Sequence, residues 1–301
     1  MRGKLGEQVF TRTGGEQRAR AYLKVISNPR TKAQMAQRVR LANLVSGYRV
    51  MRPVLGDSFL NRPANQSSYN AFVRANLASS RVFLTKDQAA SGLFIPDAYK
   101  ITSGNLIGSQ VRVAANPLNG DKFAFPFEIR GTNTLTMQKS FHDAYMAYYP
   151  DASEEDVLVF MMLVDEGSIA PFVRVERVYL SQLDTENEFF SLYLTKYKPA
   201  EDAYGTAYIS FGDTSSDKLY NKVTLAVIRA RMNGNKMIVC SSESLLLGSV
   251  AQLTLSKYTS ELAKQSAINS YGYNTGFAIQ QAVRERPEEE SEPTASGETQ
   301  G

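Results

Sequence analysis

The sequence predicts an α+β protein in three parts. Residues 1–86 read as a basic hairpin followed by two helices, residues 90–275 as a mainly antiparallel β-sandwich or barrel-like domain, and residues 285–301 as a disordered acidic tail. Three observations carry this. A capped, cationic, amphipathic helix opens at residues 28–38. From about residue 94, short extended segments alternate with turn signals, the pattern of an antiparallel β domain. The charge also reverses along the chain. Residues 1–86 hold 16 Lys and Arg against Glu7, Glu16 and Asp57, a net +13, whereas the remainder carries −9 within a total of +4.

Residues 4–11 and 17–26 are extended runs, joined by Thr13-Gly14-Gly15. Paired glycines between such runs signal a hairpin, because the turn needs positive φ. The return strand alternates, with Arg18, Arg20, Tyr22 and Lys24 on one face and Ala19, Ala21, Leu23 and Val25 on the other. Period-two alternation thus aligns three cations and an aromatic ring. Such a row can track a phosphate backbone while Tyr22 stacks on a base. An ordinary edge strand guarded by charge reads the same way.

Thr31 and Gln34 have capping-box spacing, and Pro29 keeps a helix from extending backwards. A helix is expected over 31–51, ended by Pro53, with Leu41, Leu44, Val45 and Tyr48 as its buried stripe. Lys32, Arg40 and Asn43 then point away from the stripe, and Arg38 and Arg49 flank it. A second helix is expected over 66–78, with Tyr69, Phe72, Val73 and Leu77 inward.

Strands are expected over 99–102, 110–114, 123–129, 157–164, 172–180, 189–197, 207–211, 224–232 and 236–240. Turn signals separate them at Asn119-Gly120, Asp165-Glu166-Gly167, Gly212-Asp213 and Asn233-Gly234-Asn235, the last being the clearest hairpin. Helices are expected over 137–149 and 255–266. The tail after Arg286 has almost nothing apolar to bury.

The single cysteine, Cys240, excludes an intrachain disulfide and any multi-cysteine metal site. His142 is the sole histidine, which rules out a histidine-rich metal site and leaves one candidate for any triad or dyad. Its setting, Phe141-His142-Asp143 on an aromatic-rich helix, reads as packing or surface. No Walker A loop, G-x-G-x-x-G or EF-hand loop is present. The cluster Asp151, Glu154, Glu155 and Asp156 reads as solvating loop charge. The longest apolar run, 157–164, is far short of the roughly 20 residues of a membrane span. No cofactor is expected, and the location expected is cytoplasmic, or the virion.

Gly3-Lys4-Leu5-Gly6, the Gly14-Gly15 turn, Arg18 and Arg20, and Asn28-Pro29-Arg30-Thr31 with Gln34, Gln37 and Arg38 resemble the N-terminal signature of an uncharacterised Bacteroidetes family carrying a domain of unknown function. Ser68-Tyr69-Asn70-Ala71-Phe72 resembles that family's second helix. The resemblance covers about residues 3–78 and implies a phage or mobile-element setting. It implies no catalytic residues.

Two readings follow. In the first, a protein without enzymatic function binds nucleic acid through Arg18, Arg20, Tyr22, Lys24, Arg30, Lys32, Arg38 and Arg40. In the alternative, a phage virion or tail structural protein assembles through the same module, its partners being further copies or phage neighbours. The opposite charges of the two parts of the chain favour that alternative. An enzyme with carboxylates brought together only in space is the third reading.

Overall fold

A computed structural model describes residues 3–5, 8–13, 16–21, 31–56, 58–114, 122–165, 169–197, 203–211 and 223–272. The chain divides into two compact units, Met1–Met35 with Gly272–Gly301, and Ala36–Tyr271. The acidic tail lies outside the described residues, as do the turn signals Asn119-Gly120 and Gly212-Asp213.

The first unit holds β1 (Gly3–Leu5), β2 (Gln8–Thr13) and β3 (Glu16–Ala21) in the order β1-β2-β3. The expected hairpin is β2–β3, closed by the Thr13–Glu16 pair, and β1 adds a third antiparallel strand.

Helix α1 (Lys32–Leu55) begins as expected. Gln34 N–H donates to Thr31 Oγ1 at 3.3 Å, and Thr31 N–H to Gln34 Oε1 at 3.2 Å, which completes the capping box. Two expectations for this helix fail. Pro53 lies inside its last turn, and Gly56 N–H still reaches Arg52 O at 3.2 Å. Asn43, expected outside, is fully buried. Its Nδ2 donates to Ile95 O at 2.8 Å and Tyr99 Oη at 2.7 Å, and its Oδ1 accepts from Ile95 N–H at 2.9 Å. The inward stripe is therefore Val39, Asn43, Gly47, Met51 and Val54–Leu55, with Leu44 beside it, while Leu41, Val45 and Tyr48 are half-buried. Gly47 belongs to this stripe because a Cβ there would stand 2.5 Å from the Phe94 ring.

Helices α2 (Ser68–Asn76) and α3 (Lys86–Ala90) follow, capped by Ser67 and Thr85. The segment expected as a strand at 99–102 makes only an isolated bridge, from Lys100 to Ser244. Next come β4 (Arg112–Ala114), β5 (Lys122–Ile129), α4 (Thr134–Tyr148), β6 (Asp156–Val164) and β7 (Phe172–Tyr179).

The expected strand 189–197 is mostly helix. It forms α5 (Glu188–Tyr193), capped by the Asn187 side chain, and only then β8 (Leu194–Lys196). After β9 (Gly205–Ser210), β10 (Val223–Asn233) and β11 (Lys236–Cys240) make the expected hairpin, with Gly234 at φ +58°. The chain continues through β12 (Leu246–Leu247), α6 (Ser249–Ser256) and α7 (Glu261–Ser270). The single helix expected over 255–266 is thus two, broken at residues 257–260.

The central sheet runs β11-β10-β6-β7, with β12 also on β10, and a second sheet runs β4-β5-β9-β8; every strand pair is antiparallel. Both sheets have free ends, so among the described residues neither closes into a barrel. Pro126 lies within β5 and offers no N–H to the ladder, and the β5–β9 register breaks across it, between Ala124 and Glu128.

All nine residues of β6 are buried. Leu158, Phe160, Met162 and Val164 join one apolar cluster with β5, β9, α4 and α5. Val157, Val159, Met161 and Leu163 join another with α1 and α2. The two helices grouped with the hairpin in the sequence reading therefore share their core with the central sheet. From Val157 to Val164 the strand is covered on both faces and apolar on both, which is why β6 shows no alternation there. Fully burying each such side chain is worth about 1.5–3 kcal/mol.

Candidate functional site

Pairing across β2 and β3 gives the ribbon two unlike faces. Arg18 stands opposite Thr11 and Arg20 opposite Val9, while Ala19 faces Phe10 and Ala21 faces Gln8. Partners in an antiparallel pair share a face, so Arg18 and Arg20 lie on one side with Val9 and Thr11, and Gln8, Phe10, Ala19 and Ala21 on the other. Every residue of β3 is exposed, and Val9 and Phe10 are only half-buried. Arg18 meets Glu16 at 3.6 Å with both side chains mostly in solvent, a contact of little energetic consequence.

Tyr22, Lys24 and Arg30 lie outside the described residues. Lys32, the first residue of α1, is exposed, as are Arg38 and Arg40. Two residues on a helix turn through about 200°, so Arg38 and Arg40 point to nearly opposite sides. Arg38 instead shares its side with Arg49 and Arg52, both exposed and within about 40° of it, a stripe about 21 Å long. Summing the full 38–52 periodicity for cations, rather than apolar residues alone, would have found it. Tyr271 is pushed up from the usual tyrosine range by burial, with the Arg38 charge pulling the other way.

The best-ordered polar centre was not foreseen. Arg229, on β10, is wholly buried. Its Nε donates to Tyr145 Oη at 2.6 Å, its Nη1 to Asp151 Oδ1 at 2.8 Å and Ile107 O at 2.9 Å, and its Nη2 to Asp156 Oδ2 at 3.2 Å. The guanidinium carbon lies 3.9 Å from the centre of the Tyr149 ring. Tyr145 Oη–H donates to Asp156 Oδ2 at 2.8 Å, and Arg231 Nε to Asp156 Oδ1 at 2.8 Å. Asp156 is therefore a fully buried anion with three donors, which corrects its reading as solvating loop charge. Burial works against ionisation of Asp151, but the Ile107 N–H and Arg229 outweigh it and hold the carboxyl below the usual range. Four of the five N–H groups of Arg229 go to protein acceptors, so this centre ties β10, β6 and α4 together and presents little to a ligand. The one sequence signal was a pair of arginines in an otherwise apolar strand.

His142 lies in a cleft with Lys139, Asp143, Glu154 and Asp184. Its Nε2 is 3.0 Å from Glu154 and its Nδ1 3.4 Å from Asp143. Burial works to lower its pKa, yet the two carboxylates prevail and raise it above the ordinary value. Ser181 lines the same cleft; Cys240 is buried elsewhere, its thiol pushed up to about 12 by burial and by Glu243.

No family model matches the chain, and no curated protein or solved structure matches it. Among the described residues, no helix is long and apolar enough to cross a membrane.

Proposed function

We propose that the chain is a structural assembly protein of a phage or mobile element, with the N-terminal ribbon as its docking arm. The observation that carries this is β3, exposed along its whole length, with Arg18 and Arg20 on one face and Ala19 and Ala21 beside Phe10 on the other. A ribbon of this size is marginal alone and gains stability when a partner covers it. Among the described residues its outer edge has no further strand, which leaves N–H and C=O groups for a neighbouring one. The body supplies further contact surface: Leu192 and Tyr197, on either side of the edge strand β8, are 62% and 65% exposed, and Ile238 on the edge strand β11 is 53% exposed. In this reading the two larger sheets, sharing one apolar cluster, make a sandwich-like wall.

The second reading is nucleic-acid binding. It is favoured by Arg18 and Arg20 on one exposed face, the spacing from which a phosphate-tracking row would continue.

Light scattering on a sizing column separates the two, using the full chain and an Arg18→Glu, Arg20→Glu variant, with and without a single-stranded oligonucleotide. A defined multimer that the variant and added salt dissociate, and that ignores the oligonucleotide, is the expected result. A monomer that takes up the oligonucleotide and releases it with salt would replace assembly by nucleic-acid binding. A monomer indifferent to both would remove both readings.

A further inference from the structure

Beyond the ribbon, the body of the protein has a cleft lined by three cations. Three separate segments form it: the turn after α1, helix α2 and the extended chain near residue 100. They enclose an open volume of about 490 Å³, whose polar lining is Asn61, Arg62, Gln66, Arg74, Lys100 and Ser103. Among the described residues, no aspartate or glutamate lines it.

Elsewhere in the fold several cations are paired. Arg81 meets Asp97 at 3.1 Å, Arg174 meets Glu176 at 2.7 Å, Lys264 meets Glu261 at 2.9 Å, and Arg229 and Arg231 share Asp156. Among the described residues, Arg62, Arg74 and Lys100 have no carboxylate within ion-pair distance. Like charges lining one concavity repel, and the repulsion is relieved when an anion enters between them.

The cations also stand on fixed supports. Arg62 is half-buried and donates from Nη1 to Phe59 O at 2.7 Å, which anchors one side of its guanidinium and leaves the other free. The Lys100 backbone is clamped on both sides by the buried Asn76 amide, with Lys100 N–H to Oδ1 at 2.7 Å and Nδ2 to Lys100 O at 2.8 Å. Arg74 projects from α2, whose inner side is held by Phe72 in the core. Ser103 O accepts from Leu60 N–H at 2.8 Å and closes the rim. The backbone of the cleft is thus set in advance, and binding has to order only the Arg74 and Lys100 side chains.

We propose that this cleft binds a phosphoryl group, with Arg62 and Arg74 as forked donors to its oxygens and Lys100 as a point charge. Guanidinium forks match two oxygens of a tetrahedral phosphate, whereas a lone ammonium supplies attraction without orientation. The ligand is a phosphate monoester, free or at the end of a nucleic-acid strand.

The test is calorimetric titration of the full chain with inorganic phosphate, at constant ionic strength set with chloride. The Arg74→Ala, Lys100→Ala double variant serves as the probe and Arg49→Ala as the control. Phosphate should bind the parent and the control alike, and affinity should fall at least about tenfold in the double variant, a change of about 1.4 kcal/mol. The melting temperature without phosphate should not move, because neither substitution touches the Asn76 clamp. Should the double variant fail to fold, Arg74→Gln alone is read in its place. A nucleoside monophosphate competing with phosphate points to a free ligand, and a 5′-phosphorylated oligonucleotide competing where its unphosphorylated form does not points to a strand end; either supports the cleft. Equal heats from phosphate and chloride, or affinity in the variant within about twofold of the parent, would overturn it.

Discussion

Asp156 shows how much one side chain can hold in place. It takes donors from Tyr145, Arg229 and Arg231 while fully buried. Removing one partner of a buried pair strands the other charge, at about 3–5 kcal/mol. Asp156→Asn should therefore lower the unfolding free energy by about that amount in urea denaturation, more than Glu155→Gln on the exposed neighbour. The sequence placed Asp156 in a local acidic cluster because its partners are remote: Arg229 is 73 residues away. Charge density along a chain says nothing about which carboxylate turns inward. His142 was more legible, since its neighbours Phe141 and Asp143 already described a helix surface, although Glu154 on its other side was not visible.

At the level of elements, local chemistry was read well and long apolar runs poorly. The box at Thr31 and the turn at Gly234 depend on three or four adjacent residues, and both form as expected. Residues 189–197 suit a strand or a helix equally by composition. The decisive feature is the Asn187 side chain, which accepts from Phe190 N–H at 3.2 Å and starts α5. The face of α1 was misjudged because Asn43 is polar, yet the backbone of Ile95 and the Tyr99 hydroxyl supply the partners that its amide needs. That face sets a prediction. Gly47→Ala would push a methyl against Phe94, whose ring is fixed by Tyr99. It should destabilise by about 1–3 kcal/mol despite the better helix propensity of alanine. Thermal melting beside Gly56→Ala, where the nearest atom is 3.6 Å away, checks it.

For the whole molecule, the α+β class and the antiparallel β-rich region were legible from turn spacing, but the division of the chain was not. Helices α1 and α2 carry part of the basic charge that suggested a separate module, whereas their apolar residues pack on the central sheet. Cys240 reports on that core. Its thiol is buried, with a pKa raised to about 12, so a thiol reagent at pH 8 should leave the native protein unlabelled. Labelling should instead follow global unfolding through the urea transition, measured by mass spectrometry at a series of concentrations.

The pairing of β6 has a consequence for synthesis. Its first partner, β7, begins only eight residues later, so a hairpin can form as soon as both strands emerge. The other edge must wait for β10, which starts 59 residues after β6 ends. At about 5–20 residues per second, that interval is roughly 3–12 s. Throughout it, Asp-Val-Leu-Val-Phe-Met-Met-Leu-Val stands beside an open backbone edge on the ribosome, the segment of this chain most in need of a chaperone's protection.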